Sequence, residues 1–233
     1  MRQNALFSIL CAISLQFRRS LNCNISGAFK ERGSMARKII PEKVEEAKDR
    51  IIHAALDVII EDGLAQCTLT KVAAKAGITK AAIYWYFAGK DEMLYHMAAS
   101  FRKTFIESAK LLASQPIPLA QKLEALILSL EEDEAHKKCF LPVKVFIELY
   151  SAEHEIKETI REIYTEYIGI IEGIFTEAIR KNELKISLPA ASLARMLMAV
   201  LDGCTIQDEI MDRPHIDYQE VYRLFAVFVR NLG

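Results

Sequence analysis

Beyond residue 40, apolar positions along this chain recur at helical spacing almost to its end. Val44, Ala47, Ile51, Ala55, Val58 and Ile59 fall on one stripe at intervals of three and four, the period of a helix with one buried face. Pro41 suits the first turn of that helix, Glu42, Glu45 and Glu46 complement its dipole, and Gly63 ends it. Thr68 caps a short helix over 69–76 that Gly77 stops, and Thr79 caps the next, over 80–87, which Gly89 breaks. Asp91 and Glu92 open a long helix to about Ala113, with neither proline nor glycine inside it. Further helices are predicted near 118–132, 138–151, 155–182, 188–211 and 217–231. Pro116, Pro118, "EEDEAHKK", "SAEHE", "KNELKIS" and "DRPHID" punctuate them. There is no alternating strand pattern of useful length, no internal repeat and no low-complexity tract. The predicted fold class is all-α.

The helices predicted over 69–76 and 80–87 are joined by little more than Gly77 and Ile78, a helix-turn-helix spanning about 68–87. In such a motif the second helix enters the DNA major groove. Its first turn here carries Thr79, Lys80, Ala81 and Ala82; Thr and Lys can hydrogen-bond to base edges, and alanines allow close approach. The following run, "YWYF" at 84–87, cannot face one core, because neighbours on a helix point about 100° apart. Ile83 and Phe87, four apart, belong inside; Tyr84, Trp85 and Tyr86 are left for the duplex backbone or the shoulder of the groove. Lys90 adds an ammonium suited to a phosphate. The alternative is that these aromatics pack the small domain against the long helix that follows.

Charge sharpens this picture. Residues 1–90 hold 14 Lys/Arg against 8 Asp/Glu, residues 91–233 hold 16 against 23, and Gly63–Lys90 has four lysines and no acid. A basic half of this kind fits a polyanionic partner. The five cysteines are scattered without a CxxC pair, which excludes a disulfide framework or zinc ribbon and fits a reducing, cytoplasmic setting. The five histidines stand singly, with no HExxH, no GxSxG and no phosphate-cradling glycine loop, so no catalytic residue, metal ligand or cofactor is assigned and the chain is not expected to be an enzyme. Residues 1–34 admit two readings. "ALFSILCAISLQF" after Arg2 is similar to a secretory leader but lacks a convincing cleavage site, and at 13 residues it is too short to span a bilayer. The expected alternative is a disordered extension ahead of a working start at Met35. No membrane partner is expected.

The stretch "IIEDGLAQCTLTKVAAKAGITKAAIYWYFAGKDEML" resembles the TetR family of bacterial transcriptional regulators: Gly after the first helix, Thr opening the second, then "A..AG(V/I)(S/T)...(L/I)Y.YF..K..L". The resemblance covers about residues 45–95. It implies an N-terminal three-helix DNA-binding domain over 36–95 and a C-terminal helical bundle for ligand binding and dimerisation over 96–233. Carried over by position, it implies phosphate contacts from Thr68, Thr70, Tyr84, Tyr86 and Lys90. It also implies base-edge or groove contacts from Thr79, Lys80, Ala81 and Trp85, and a basic arm at Arg37 and Lys38. Ala81-Ala82 stands where many relatives have glycine or small polar residues, so operator sequence does not transfer. The implied partners are double-stranded DNA bearing a pseudo-palindromic operator, a second copy of the chain, and a small-molecule effector that releases the repressor.

The second half agrees independently. "IKETIREIYTEYIGIIEGIFTEAI" and "LPAASLARMLMAVLDGC" are apolar around much of their circumference, as helices buried on two sides are. Burial by a second copy is the simplest cause, with Tyr167, Ile171, Ile174, Met196, Val200 and Cys204 at the interface; an unusually thick protomer core is the alternative. Met97, Phe101, Phe105, Phe146, Tyr150, Tyr164 and Phe175 are candidate lining for a hydrophobic effector pocket. A helix-turn-helix protein that binds DNA without a ligand is the rival function; the size and apolarity of residues 91–233 argue against it.

Overall fold

The structure, a computed structural model, describes residues 41–129, 143–151, 156–211 and 216–230. All regular elements among them are helical. They fall into two units, one ending at His96 and the other beginning at Met97. In chain order the helices are α1 (Pro41–Asp62), a 3₁₀ turn (Leu64–Gln66), α2 (Leu69–Ala76), α3 (Lys80–Ile83), α4 (Lys90–Ser114), α5 (Leu119–Leu128), α6 (Val143–Ser151), α7 (Ile156–Arg180), α8 (Ala190–Ile210) and α9 (Tyr218–Arg230).

In the first unit α1 packs on α2, and α2 on α3. The apolar stripe of α1 contributes to the core: Ile51, Ala55, Val58 and Ile59 are buried, as are Val72, Ile83, Phe87, Met93 and Leu94. Gly63, at φ 84°, lets the chain leave α1 in a conformation that costs a side-chain-bearing residue strain. Cys67 is wholly buried beside the Ala55 carbonyl, and burial pushes its thiol above the ordinary range, so it packs rather than reacts.

In the second unit α7 packs along α8, α6 lies against both, and α9 lies against α5. One interior face of α7, formed by Ile156, Ile160, Ile163, Tyr167, Ile171, Ile174 and Ala178, is buried, together with Leu193, Ala194, Leu197 and Leu201 of α8. The start of α5 has no side-chain cap of its own, since Pro118 precedes it; instead the Leu119 amide donates to the Glu183 carboxylate at 2.7 Å. Nearby, the buried Lys122 ammonium donates to the Ala113 carbonyl at 2.5 Å. Burial pushes the Lys122 pKa below its ordinary value.

Helix boundaries depart from expectation in three places, one of them α5, expected to about 132 and ending at Leu128. The 3₁₀ turn at 64–66 has no sequence signal of its own. The helix expected over 80–87 is α-helical only to Ile83, because the next bonds tighten to i−3: Trp85 donates to Ala82 and Tyr86 to Ile83. The proposed extension over 1–34, and Arg37 and Lys38, lie outside the described residues.

Candidate nucleic-acid interface and effector region

The turn between α2 and α3 is fixed by local chemistry. Gly77 adopts the left-handed conformation at φ 68°, and the Ile78 amide reaches back to the Ala73 carbonyl, closing α2 in a Schellman-type bond. Thr68 caps α2 by accepting from the Lys71 amide at 3.3 Å, and Thr79 caps α3 by accepting from the Ala82 amide at 3.1 Å. Each threonine keeps its O–H to donate elsewhere.

This geometry sorts the aromatic run. Ile83 and Phe87 are buried, Tyr86 is half-buried, Tyr84 is exposed, and Trp85 is 87% exposed. An indole that large left in solvent buries nothing within its own unit. Thr68, Thr70, Thr79, Lys80 and Ala81 are exposed as well. The lysines divide differently than the sequence implies. Lys71 pairs with Asp62 at 2.8 Å and Lys75 with Glu61 at 2.5 Å, so acids at the end of α1 neutralise a segment that reads as acid-free. Lys90 donates to the Leu64 carbonyl at 2.8 Å, tying the start of α4 to the 3₁₀ turn. Lys80 is the lysine of this segment with neither an ion pair nor a hydrogen bond from its ammonium among the described residues.

The second unit rearranges the other candidates. Tyr167, Ile171 and Ile174 are turned into the protomer's own interior, as is Cys204, so a second copy cannot reach them. The interior stripe of α7 is filled by its own chain. Val200 is exposed and Met196 half-buried on α8, where Ile206 and Ile210 are also exposed. Among the candidate pocket residues, Met97 and Phe175 are sealed in core and Phe146 is half-buried; the side chain of Phe101 is outside the description. Tyr150 is on the surface with the Lys157 ammonium 4.7 Å over its ring, and the Arg161 guanidinium holds its hydroxyl below the ordinary pKa. Phe105 stacks on Tyr167, centroids 4.0 Å apart and planes at 26°. Tyr164 donates its hydroxyl to Asp202 of α8. Asp202 escaped the sequence reading; its signal is a single carboxylate inside the apolar run "MLMAVLDGC". Burial pushes that carboxyl above the ordinary range, opposed by the Tyr164 bond. Arg102 and Lys110 of α4 both bind Glu166, each at 2.7 Å, and the Lys110 and Arg102 bonds hold its carboxyl below the usual range. Among the described residues no cluster of three or more His, Cys, Asp or Glu could hold a metal, and no helix is long and apolar enough to cross a membrane.

Residues 51–97 match the model for bacterial regulatory proteins of the tetR family, and residues 103–225 match that for the C-terminal region of YsiA-like proteins. The chain is 30% identical to the fatty acid metabolism regulator protein of Bacillus subtilis over 66% of its own length and 78% of that protein's. It is 26% identical to the transcriptional repressor BepR of Brucella suis, over 68% and 78%. The crystal structure of FadR from Bacillus subtilis in complex with stearoyl-CoA superposes with a TM-score of 0.64 at 25% identity, over 79% of this chain and 98% of that one. The helix-turn-helix unit and the helical second unit thus each match a model of these regulators, and the chain belongs to the TetR family: it is a helix-turn-helix transcriptional regulator of the ligand-responsive repressor type.

Proposed function

We propose that this regulator is a homodimeric repressor that docks α3 in the major groove and is released from its operator by a long-chain acyl thioester. The observation that carries the DNA reading is Trp85, 87% exposed beside the exposed Thr79, Lys80, Ala81 and Tyr84. In this reading Thr79, Lys80, Ala81 and Trp85 meet base edges or the groove wall. Thr68, Thr70, Tyr84, Tyr86 and Lys90 meet phosphates, which position without reading sequence. Arg37 and Lys38 add a basic arm. The DNA-reading domain takes residues 36–95 and the effector and dimerisation domain 96–233.

The effector class is supported by the fatty-acid regulators named above, one of which was crystallised with stearoyl-CoA. The dimer is supported by α7 and α8. Gly169, Gly173 and Gly203 interrupt long helices at a cost of about 1 kcal/mol each relative to alanine. A Cβ added at any of them would meet nothing within 4 Å. Nothing among the described residues requires them to be small, whereas a second copy approaching closely would, with Val200, Ile206 and Ile210 as its apolar contacts. A cytoplasmic location follows from the operator as partner. Coupling would run through α4, 25 residues without proline or glycine, which carries Lys90 at its start and Phe105 within it.

The test is operator binding with and without stearoyl-CoA, using DNA selected from a random pool. Linkage requires effector and DNA to weaken each other by one factor, typically about 5–150-fold. DNA binding that no acyl-CoA alters would overturn the effector reading, and a monomer by sedimentation at micromolar concentration the dimer.

A further inference from the structure

We propose that Tyr167 is the polar anchor of the effector site, its phenol donating to a neutral carbonyl oxygen of the ligand, and that Asp202 beside it selects against a free carboxylate. This rests on the acyl-thioester reading above. Tyr167 is 6% exposed and its ring is stacked on Phe105. Its α7 neighbours one turn to either side, Ile163 and Ile171, are wholly buried. Among the described residues no group hydrogen-bonds its hydroxyl. A buried tyrosine O–H normally finds a partner, and one left without carries the desolvation penalty of an unmade bond. A ligand acceptor brought to this point would remove that penalty.

The surroundings narrow the ligand. Ile163, Ile171 and Phe105 make a hydrocarbon setting, which suits an acyl chain. Phe105 and Asp202 are only part-buried, so solvent reaches the edge of the cluster. Asp202 is already held by the hydroxyl of Tyr164, one turn before Tyr167, and its field acts on the Tyr167 phenol. A second anion entering beside that carboxylate would be repelled at low dielectric. A thioester carbonyl is an acceptor without charge, so it takes the tyrosine proton donor without confronting Asp202. The pair therefore distinguishes an activated acyl group from the fatty acid it derives from.

Tyr167→Phe keeps the ring and its stack and removes only the oxygen. Titrated with stearoyl-CoA, this variant should bind about 3- to 10-fold more weakly, the usual range for one neutral hydrogen bond, while its Tm stays level or rises. Asp202→Asn should tighten binding of stearate about tenfold while changing stearoyl-CoA little. Unchanged stearoyl-CoA affinity in Tyr167→Phe overturns the anchor and leaves the acyl-thioester reading standing. A lowered Tm in that variant would reveal a structural partner for the hydroxyl and overturns it equally. Wild-type protein that binds neither stearoyl-CoA nor methyl stearate overturns the acyl reading and the anchor together.

Discussion

In the unit ending at His96 the telling aromatics lie outside, with Trp85 almost fully in solvent and Tyr84 exposed beside it. In the unit beginning at Met97 they lie inside, with Tyr167 buried under Phe105 and Phe175 sealed completely. The outward set is fixed locally: Thr79 starts α3, Gly77 aims it, and α3 with the tightened turn after Ile83 then decides which of 83–87 face the core. The inward set depends on partners far away in sequence, Phe105 with Tyr167 and Tyr164 with Asp202. A surface for reading DNA can thus be built from twenty consecutive residues, whereas the buried cluster around Tyr167 must be assembled from several helices.

The contrast breaks most violently inside α7. Ile171→Arg would bury an unpaired charge among hydrocarbon and should cost more than about 4 kcal/mol, unfolding the protomer in a denaturant titration. Val200→Arg, on an exposed position of the neighbouring α8, should shift protomer stability by about 0.5 kcal/mol or less and yet convert the proposed dimer to monomer in the ultracentrifuge. Next comes the aromatic run. Phe87→Ala should destabilise by about 3–5 kcal/mol through the cavity it leaves. Trp85→Ala should leave thermal unfolding within about 0.5 kcal/mol of wild type while clearly weakening operator binding in a gel-shift titration. Equal destabilisation by the two would show that Trp85 is packing, not reading.

A smaller effect separates local from distant determinants. Thr79→Ala removes the α3 cap and should cost about 0.5–2 kcal/mol, with a parallel loss of operator affinity, because the same residue starts the reading helix. The smallest belongs to Glu166, whose pairs with Arg102 and Lys110 lie at the surface. Glu166→Gln should cost about 0–1 kcal/mol. Its carboxyl is held below the ordinary value in the folded chain. Its contribution is therefore present above the ordinary glutamate pKa and is lost as pH falls through the lowered one. The variant's stability should converge with wild type in acid, read as ΔTm across a pH series.

How far the sequence could be read follows the same division. The α1 stripe, the caps at Thr68 and Thr79, the stop at Gly77 and the inward turn of Ile83 and Phe87 were legible, because each needs only residues within a helical turn or two. The neutralised Lys71 and Lys75 were not, since Asp62 and Glu61 lie across the Gly63 break and the fold brings them back. The α7 stripe was legible as buried but not as to what buries it. Tyr167, Ile171 and Ile174 repeat at helical spacing whether they face their own chain or a copy of it. The Tyr164–Asp202 bond, 38 residues apart, left only an odd aspartate as its trace.

One bond makes the order of assembly in the second unit legible as well. The first amide of α5 is satisfied by Glu183, 64 residues downstream, and Pro118 ahead of it has no side chain that could substitute. A ten-residue helix without a local cap is marginal on its own. As the chain leaves the ribosome, α5 gains this cap only once the segment after α7 has emerged. The start of α5 is thus completed by a contact between residues distant in sequence and not by its own first turn.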